Sequence, residues 1–461
     1  MLYKYEEITQ MHLELTDKCN AGCSMCPRYI NGGSKLNPNL ALTEITLEQF
    51  KTWFDPAFVS QLRRVMACGN FGDPIMARDC LEIYQYLRQH NSTLDLGIHT
   101  NGSARSIKWW EELAKVLDMN HRGGGCVFSV DGLKDTNHLY RRGTNFDTIL
   151  ENMKAFIGAG GRAKWDFIAF QHNEHQIEEA RELARTLGVV EFNIKKTTRW
   201  GEYDKDGVGR SPVRNSEGQI THYLQQPTQE EFRHKNTETL TQKLGQNTNL
   251  QRAQHFNVLP NAVGEEFISF PKKFNKEEYD KNQSAFNARH QLPSVQKFSK
   301  FEDIILNNPD YQHREYDATT DSYVRVDIRT IDIACRSQHI NKGGSNTNNE
   351  IFISAHGYVF PCCFLGGEPW KAYALGPDGR SKDAFIPMLD LAGGLESISL
   401  HTHTLKDIIS NNKLYTEYLT TSFSPNQNIR SHQCSLCCGK DWNILNNGEL
   451  GNEKFFAKTG K

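Results

Sequence analysis

The sequence predicts an α/β fold, a partial (β/α)6 barrel of TIM type with a smaller α+β unit behind it. Three observations carry this. From residue 11 to about 198, strand-like and helix-like patterns alternate six times, as in a parallel sheet with right-handed crossovers. The segments closing those strands are polar or glycine-rich: "TDKCNAGCSMCPR", "GNFGDP", "HTNG", "SVDG", "QHN" and "KKT". In such barrels chemistry sits at the C-terminal strand ends. After a polar stretch, strand patterning returns near "SYVRVDIRTIDIACR" and runs into a second group of cysteines.

Each element follows from its own pattern. "MHLELT" alternates with period two and leads into the first cysteines. "LEQFKTWFDPAFVSQL" has helical spacing interrupted at Pro56. "RRVMAC" is a short strand. "RDCLEIYQYLRQH" is a helix with Leu81, Tyr84 and Leu87 on one face. "LDLGIHTNG" is strand then turn, "SIKWWEELAKVL" a helix and "GCVFSVDG" a strand. "NFDTILENMKAFIGAG" is a helix stopped by glycine. "AKWDFIAF" is a strand, "IEEARELARTLG" a helix ending at Gly188, and "VEFNIKK" the sixth strand. This barrel region spans 1–198. Residues 199–325 are rich in Gln, Asn, Lys and Glu with weak periodicity, an ordered insertion over the active face or a partly mobile linker. In 326–461, "EIFISAHGYVFPCCF" reads as a hairpin turning at His356-Gly357. "TLKDIISNNKLYTEYLTTSF" follows as a helix, and "SHQCSLCCGKDW" brings the last cysteines.

Composition narrows the function classes. With 53 Lys+Arg against 55 Asp+Glu in 461 residues, the charge gives no argument for a nucleic-acid or membrane partner. The first residues lack a signal-peptide h-region, and no apolar run is long enough to span a bilayer. A cytoplasmic protein is expected. In that compartment the 12 cysteines do not read as disulfides. Cys19, Cys23 and Cys26 cluster at one end. Cys335, Cys362, Cys363, Cys434, Cys437 and Cys438 cluster at the other, as metal or iron–sulfur ligands do. Cys68, Cys80 and Cys126 lie between and read as small buried hydrophobes.

Three cysteines within eight residues form an incomplete set. Zinc wants a fourth ligand, and His12 on the preceding strand is poorly placed for it. An iron–sulfur cluster held by three thiolates leaves one iron open. Cys-x3-Cys-x2-Cys after a first strand, heading a strand–helix series, resembles the radical S-adenosylmethionine (SAM) superfamily. The resemblance implies a 4Fe–4S cluster on Cys19, Cys23 and Cys26, with SAM on the open iron. Reductive cleavage of SAM to a 5′-deoxyadenosyl radical would follow, and hydrogen abstraction from a substrate. "GNFGDP" resembles the family's Gly-Gly-Glu-Pro motif, with Gly72, Asp73 and Pro74 matching and Phe71 in place of the first glycine. Thr100 and Asn101 lie in a common family turn. Ser129 and Asp131 would lie near the SAM ribose or substrate, Arg142 near its carboxylate, and Asn173 toward the cofactor. Met25 stands where the family usually has an aromatic residue and would pack on adenine. Taken singly, Ser129 and Asp131 also read as turn and capping residues, and Arg141 and Arg142 as solvated charges. Of that pair Arg142 is preferred, because Gly143 follows it. His99 reads as a strand-end packing residue.

The rear cysteines resemble the twitch appendage, a shortened SPASM domain. The resemblance implies one auxiliary 4Fe–4S cluster on Cys335, Cys362, Cys434 and Cys437. Cys363 and Cys438 duplicate their neighbours and stay open as substitutes. A zinc site with four cysteines fits the bare spacing nearly as well. The resemblance also implies an electron donor such as flavodoxin or ferredoxin. Modification of a peptide or protein side chain is the first expectation, although a barrel starting near residue 11 leaves no room for an N-terminal peptide-recognition domain. Oxidation or rearrangement of a small molecule is the second, and a non-catalytic cluster-binding protein the third.

Overall fold

The computed structural model describes residues 2–117, 124–197, 199–200, 202–203, 208–233, 312–317, 322–327, 338–340, 346–370, 385–422, 434 and 449–454. Six strands appear where the alternation places them: β1 (Ile8–Leu13), β2 (Arg64–Ala67), β3 (Asp95–Thr100), β4 (Gly125–Ser129), β5 (Ala163–Ile168) and β6 (Glu191–Lys195). They pair in chain order, each parallel to the next. This is the α/β class and the open barrel-like sheet expected.

The intervening helices begin and end for local reasons. α1 (Leu47–Trp53) starts on Thr46, which forms a capping box with Gln49. α2 (Pro56–Gln61) starts on Asp55, whose carboxylate accepts from Phe58 N–H at 2.8 Å, with Pro56 at the first helical position. Pro56 therefore opens a second helix where the sequence shows an interruption. α3 (Cys80–His90), α4 (Ile107–Leu117), α5 (Asn137–Tyr140), α6 (Phe146–Gly158) and α7 (Ile177–Leu187) follow.

The register explains the core. Leu13, Ala67, Ile98, Cys126 and Ala163 face one another across adjacent strands, and all are fully buried. The helices cover this side; Trp110 of α4 packs on Phe128 of β4 at 5.2 Å and on Phe156 of α6 at 6.3 Å. Cys80 and Cys126 lie in this apolar core, as expected of them. The other side of the sheet is polar, because alternate residues point there. Asn193 Nδ2 donates to Asp166 Oδ1 at 2.9 Å, and Lys195 Nζ lies 3.7 Å from Asp166. His99 is half-buried on this side, and burial lowers it to about 4, helped by Lys195, Arg64 and Lys164. Cys68 also alternates to it and is half-buried, unlike the other two scattered cysteines.

Beyond β6, an antiparallel hairpin forms from β7 (Gly209–Arg214) and β8 (Ile220–Gln225). A second strand pair joins Gln312–Asp317 to Ser322–Asp327. The described parts of the polar stretch thus include a three-stranded antiparallel sheet, with Glu202–Tyr203 beside β7, and a strand pair. The rear region then returns to the barrel. β9 (Gln338–Ile340) pairs antiparallel with β10 (Asn346–Ile353), and β10 runs parallel to β1, with Ile353 opposite Leu13. β11 (Val359–Phe360) folds back on β10, and β12 (Glu449–Lys454) pairs antiparallel with β6. "IFIS" therefore completes a seventh parallel strand of the barrel sheet. Ile351, Phe352 and Ile353 are fully buried, as a strand covered on both faces requires. The turn between β10 and β11 depends on Gly357: its φ is +76°, and a Cβ there would meet the Trp53 ring at 2.7 Å. Among the described residues no helix is long and apolar enough to cross a membrane.

Candidate functional site

The cysteine loop leaves the C-terminal end of β1 and is tied down mainly by backbone. Cys26 N–H donates to Cys23 O at 3.1 Å, and Tyr29 N–H to Cys26 O at 2.9 Å. Tyr29 Oη donates to Ala21 O at 3.1 Å. Arg142 is the main clamp. Its Nε donates to Gly22 O at 3.0 Å, its Nη2 to Gly33 O at 2.7 Å and its Nη1 to Arg214 O at 2.6 Å. Its own carbonyl accepts from Gly22 N–H at 2.7 Å. Arg142 thus joins the middle of the cysteine loop, at Gly22, and the segment after it, at Gly33, to the end of β7. Its guanidinium is committed to carbonyls, whereas the sequence reading directs it to a carboxylate.

Arg141 takes the position nearer the sulfurs. Its Nη1 lies 3.9 Å from Cys23 Sγ, and its Nε bonds Asp131 Oδ2 at 2.5 Å. Asp131 is fully buried. Its second oxygen accepts from Ile168 N–H at 2.6 Å, and its N–H donates to Asn137 Oδ1 at 2.9 Å. Burial raises the Asp131 carboxyl, and Arg141 opposes that rise. Asn173 braces the same corner, donating to Asp131 O and Ile168 O, each at 2.9 Å, and accepting from Phe170 N–H at 2.7 Å.

Cys19 meets the second and third strand-end loops. Its Sγ accepts from Ala21 N–H at 3.4 Å and lies 3.8 Å from Asn101 Nδ2, which also donates to Asn20 Oδ1 at 2.8 Å. Asn101 N–H donates to Asp73 Oδ2 at 2.7 Å, and the other Asp73 oxygen accepts from Ile75 N–H at 3.3 Å. Thr100 Oγ1 accepts from Gly102 N–H at 3.0 Å. Asp73, with Pro74 after it, thereby links "GNFGDP" to "HTNG". Gly72 is required by contact: a Cβ there would stand 1.8 Å from Thr16 O. Met25 is partly buried and, like Cys19 and Cys26, packs on a small cluster that holds Ala21, Cys23, Tyr140, Phe170, Trp200, Val213 and Leu224. Ser129 is half-buried at the end of β4. Burial raises the Cys19 thiol, with Asp73 adding, and pushes Cys23 up to about 11 against the pull of Arg141.

Glu14 was not singled out from the sequence. It is buried one residue past β1, and its Oε1 accepts from Phe71 N–H at 2.7 Å and Gly72 N–H at 3.3 Å. Burial raises its carboxyl to about 8, with Asp17 adding. The signal was available in "MHLELT", where His12 and Glu14 are the polar half of the alternation.

The rear cysteines are described in part. Cys335, Cys437 and Cys438 lie outside the described residues. Cys434 is buried in the main core, and Cys362 and Cys363 pack against that core. The loop after β2 touches one of them directly: Asn70 Nδ2 donates to Cys363 O at 2.8 Å. Asn37 Nδ2 donates to Trp370 O at 2.8 Å, and His356 Nε2 lies 3.4 Å from Asp17 Oδ2.

No three His, Cys, Asp or Glu side chains close on a single ion among the described residues. A cube-shaped cluster does not ask for this, since each of its cysteines binds a different iron. Three thiols on one loop fit such a group as donors.

The site is thus three thiols on the first strand-end loop of an open parallel sheet. Residues 13–184 match the family described as Radical SAM superfamily. A probable GTP 3',8-cyclase of Thermococcus kodakarensis is 28% identical over 202 residues, which cover 39% of this chain and 60% of that protein. The chain thus spans about 60% of the length of this curated relative. Among solved structures, Streptococcus suis SuiB bound to S-adenosylmethionine overlaps with TM-score 0.40 at 13% identity, covering 93% of this chain and 75% of that one. Native anSMEcpe with bound AdoMet overlaps with TM-score 0.39 at 12% identity, covering 90% of this chain and 84% of that one. Both overlaps are loose.

Proposed function

We propose that the chain is a radical SAM enzyme whose Cys19, Cys23 and Cys26 hold a 4Fe–4S cluster with one iron open to SAM. When bound, the cluster and SAM would supply one electron and a 5′-deoxyadenosyl radical that takes hydrogen from a substrate. The observation that carries this is the cysteine loop on the β1 end, clamped by Arg142 inside a matched Radical SAM domain. The chain's own residues shape the site around it. Glu14 holds the 70–72 backbone, Asp73 joins that loop to Asn101, and Met25 offers an apolar contact beside the sulfurs. Gly72, Asp73, Pro74, Thr100, Asn101, Ser129, Asp131 and Asn173 remain our candidates for the shell around SAM. Arg142 we now assign to holding the loop.

The substrate we favour is a peptide or protein side chain. The hairpin β7–β8, an addition to the barrel repeat, supports this by standing as a wall beside the cysteine loop. A small-molecule substrate is the second reading, favoured by the relative named as a probable GTP 3',8-cyclase. For the rear region we propose a twitch unit with one auxiliary cluster on Cys335, Cys362, Cys434 and Cys437. The packing of Cys362 and Cys434 on one core supports it. The regions 1–198, 199–325 and 326–461 are proposed as barrel, insertion and appendage, with β10 and β12 of the last joined to the barrel sheet. The test is an anaerobic iron count with a SAM-cleavage assay on the reduced chain. About eight irons are expected for two four-iron clusters; about four, with zinc, removes the auxiliary one. No 5′-deoxyadenosine from an iron-loaded chain refutes the enzyme reading. Peptides and small molecules are then compared by which one raises deoxyadenosine formation.

A further inference from the structure

We infer that Arg141 is a charge-positioning residue for the Cys23 thiolate, and that its cation favours the reduced form of a cluster held there. The inference rests on the proposed cluster at Cys19, Cys23 and Cys26. Its geometry is independent of that reading. The Arg141 guanidinium stands 3.9 Å from Cys23 Sγ, closer to a loop sulfur than any other cation whose contact is described.

The cation is held in place. Asp131 is fully buried and grips Nε at 2.5 Å. Three further hydrogen bonds fix Asp131: from Ile168 N–H to its side chain, from Asn173 Nδ2 to its carbonyl, and from its N–H to Asn137 Oδ1. The Tyr140 ring lies under the guanidinium, 5.1 Å from its centre. Swinging Arg141 toward solvent would leave a buried carboxylate unpaired, which is strongly unfavourable. The neighbouring Arg142 faces three carbonyls and performs a mechanical task. Adjacent arginines thus separate holding the loop from setting its charge.

The electrostatic consequence has a definite sign. Reduction adds one electron to the cluster from an external donor, and no bond or proton at Arg141 changes. A fixed cation beside one thiolate stabilises the more negative state, and it does so strongly where burial keeps the local dielectric low. Removing the cation makes reduction harder. Removing Asp131 takes away an opposing negative charge and makes reduction easier.

The test is a potentiometric titration of the full-length, anaerobically reconstituted chain, followed by electron paramagnetic resonance. The front cluster is the signal that changes when SAM is added. In Arg141→Gln the reduction equilibrium should fall about tenfold, a shift of about 59 mV to more negative potential for one electron. In Asp131→Asn, which keeps an oxygen for Ile168 N–H, the midpoint should move the opposite way. An Arg141→Gln protein that holds its iron and keeps the parent midpoint overturns the inference. If that variant takes up no iron, Asp131→Asn decides: a higher midpoint supports the inference, and an unchanged or lower one overturns it. A parent chain that takes up no iron refutes the cluster reading itself, a separate failure.

Discussion

Gly72→Ala probes the junction on which the site depends. The loop carrying Phe71, Gly72 and Asp73 crosses the end of β1 so closely that a Cβ at 72 would lie 1.8 Å from Thr16 O, 2.6 Å from Thr16 C and 2.9 Å from Asp17 Cα. These are backbone atoms and no rotamer relieves them. Ordinary contact begins at 3.4 Å, so the two segments must part by about 1.6 Å, an overpacking that costs about 1–3 kcal/mol. The Gly72 N–H bond to Glu14 and the Asp73 N–H bond to Lys18 O at 2.8 Å stretch or break, each worth about 1 kcal/mol. A loss of about 3–5 kcal/mol follows. Asp73 moves with the loop and withdraws from Asn101 N–H, so SAM affinity should fall at least about tenfold, or 1.4 kcal/mol. Urea unfolding measures the first effect and calorimetric titration of the reconstituted protein the second. Stability within about 0.5 kcal/mol of the parent, with unchanged SAM affinity, refutes the argument.

Three further variants separate the roles of neighbouring groups. Arg142→Ala removes three charge-assisted bonds to carbonyls and should lower stability by about 2–3 kcal/mol in denaturant; an unfolding midpoint equal to the parent's shows that the clamp is idle. Burial lifts Glu14 from 4.5 to about 8, so the folded chain keeps a proton that the unfolded chain releases across that range. Stability from this group is therefore full below the lower value and falls as pH rises toward 8, by up to about 1.4 kcal/mol per pH unit. Glu14→Gln should flatten the pH–stability curve there, and equal slopes in both proteins contradict the assignment. Cys126→Ser buries a hydroxyl in the apolar core and should cost about 1–3 kcal/mol while leaving the iron count unchanged; lost iron would make Cys126 more than packing.

Much of the barrel was legible because its signals are local. Period-two alternation marked β1, the Pro56 start was visible as an interruption, and Gly188 closed α7 as expected. Pairing of β10 with β1 was not legible, since it joins residues 8–13 to 349–353 and leaves no local trace. Glu14 was hidden in plain alternation, and only the loop folding over it gives the carboxylate its partners. Arg141 and Arg142 could not be separated in sequence. They follow the four-residue helix α5 in an irregular turn, where no periodicity says which side chain faces the sulfurs. The expected ribose or substrate contact of Asp131 had a residue type to point to, whereas its pairing with Arg141 across ten residues left no mark in the sequence.

The central claim is that the incomplete cysteine set is an open iron site for SAM. Its most direct test is 5′-deoxyadenosine formation by the reconstituted, reduced parent beside the Cys19→Ala, Cys23→Ala, Cys26→Ala triple variant. The parent should form it and the triple variant should not. Formation by the triple variant at the parent's rate, or none from an iron-loaded parent, would contradict the account.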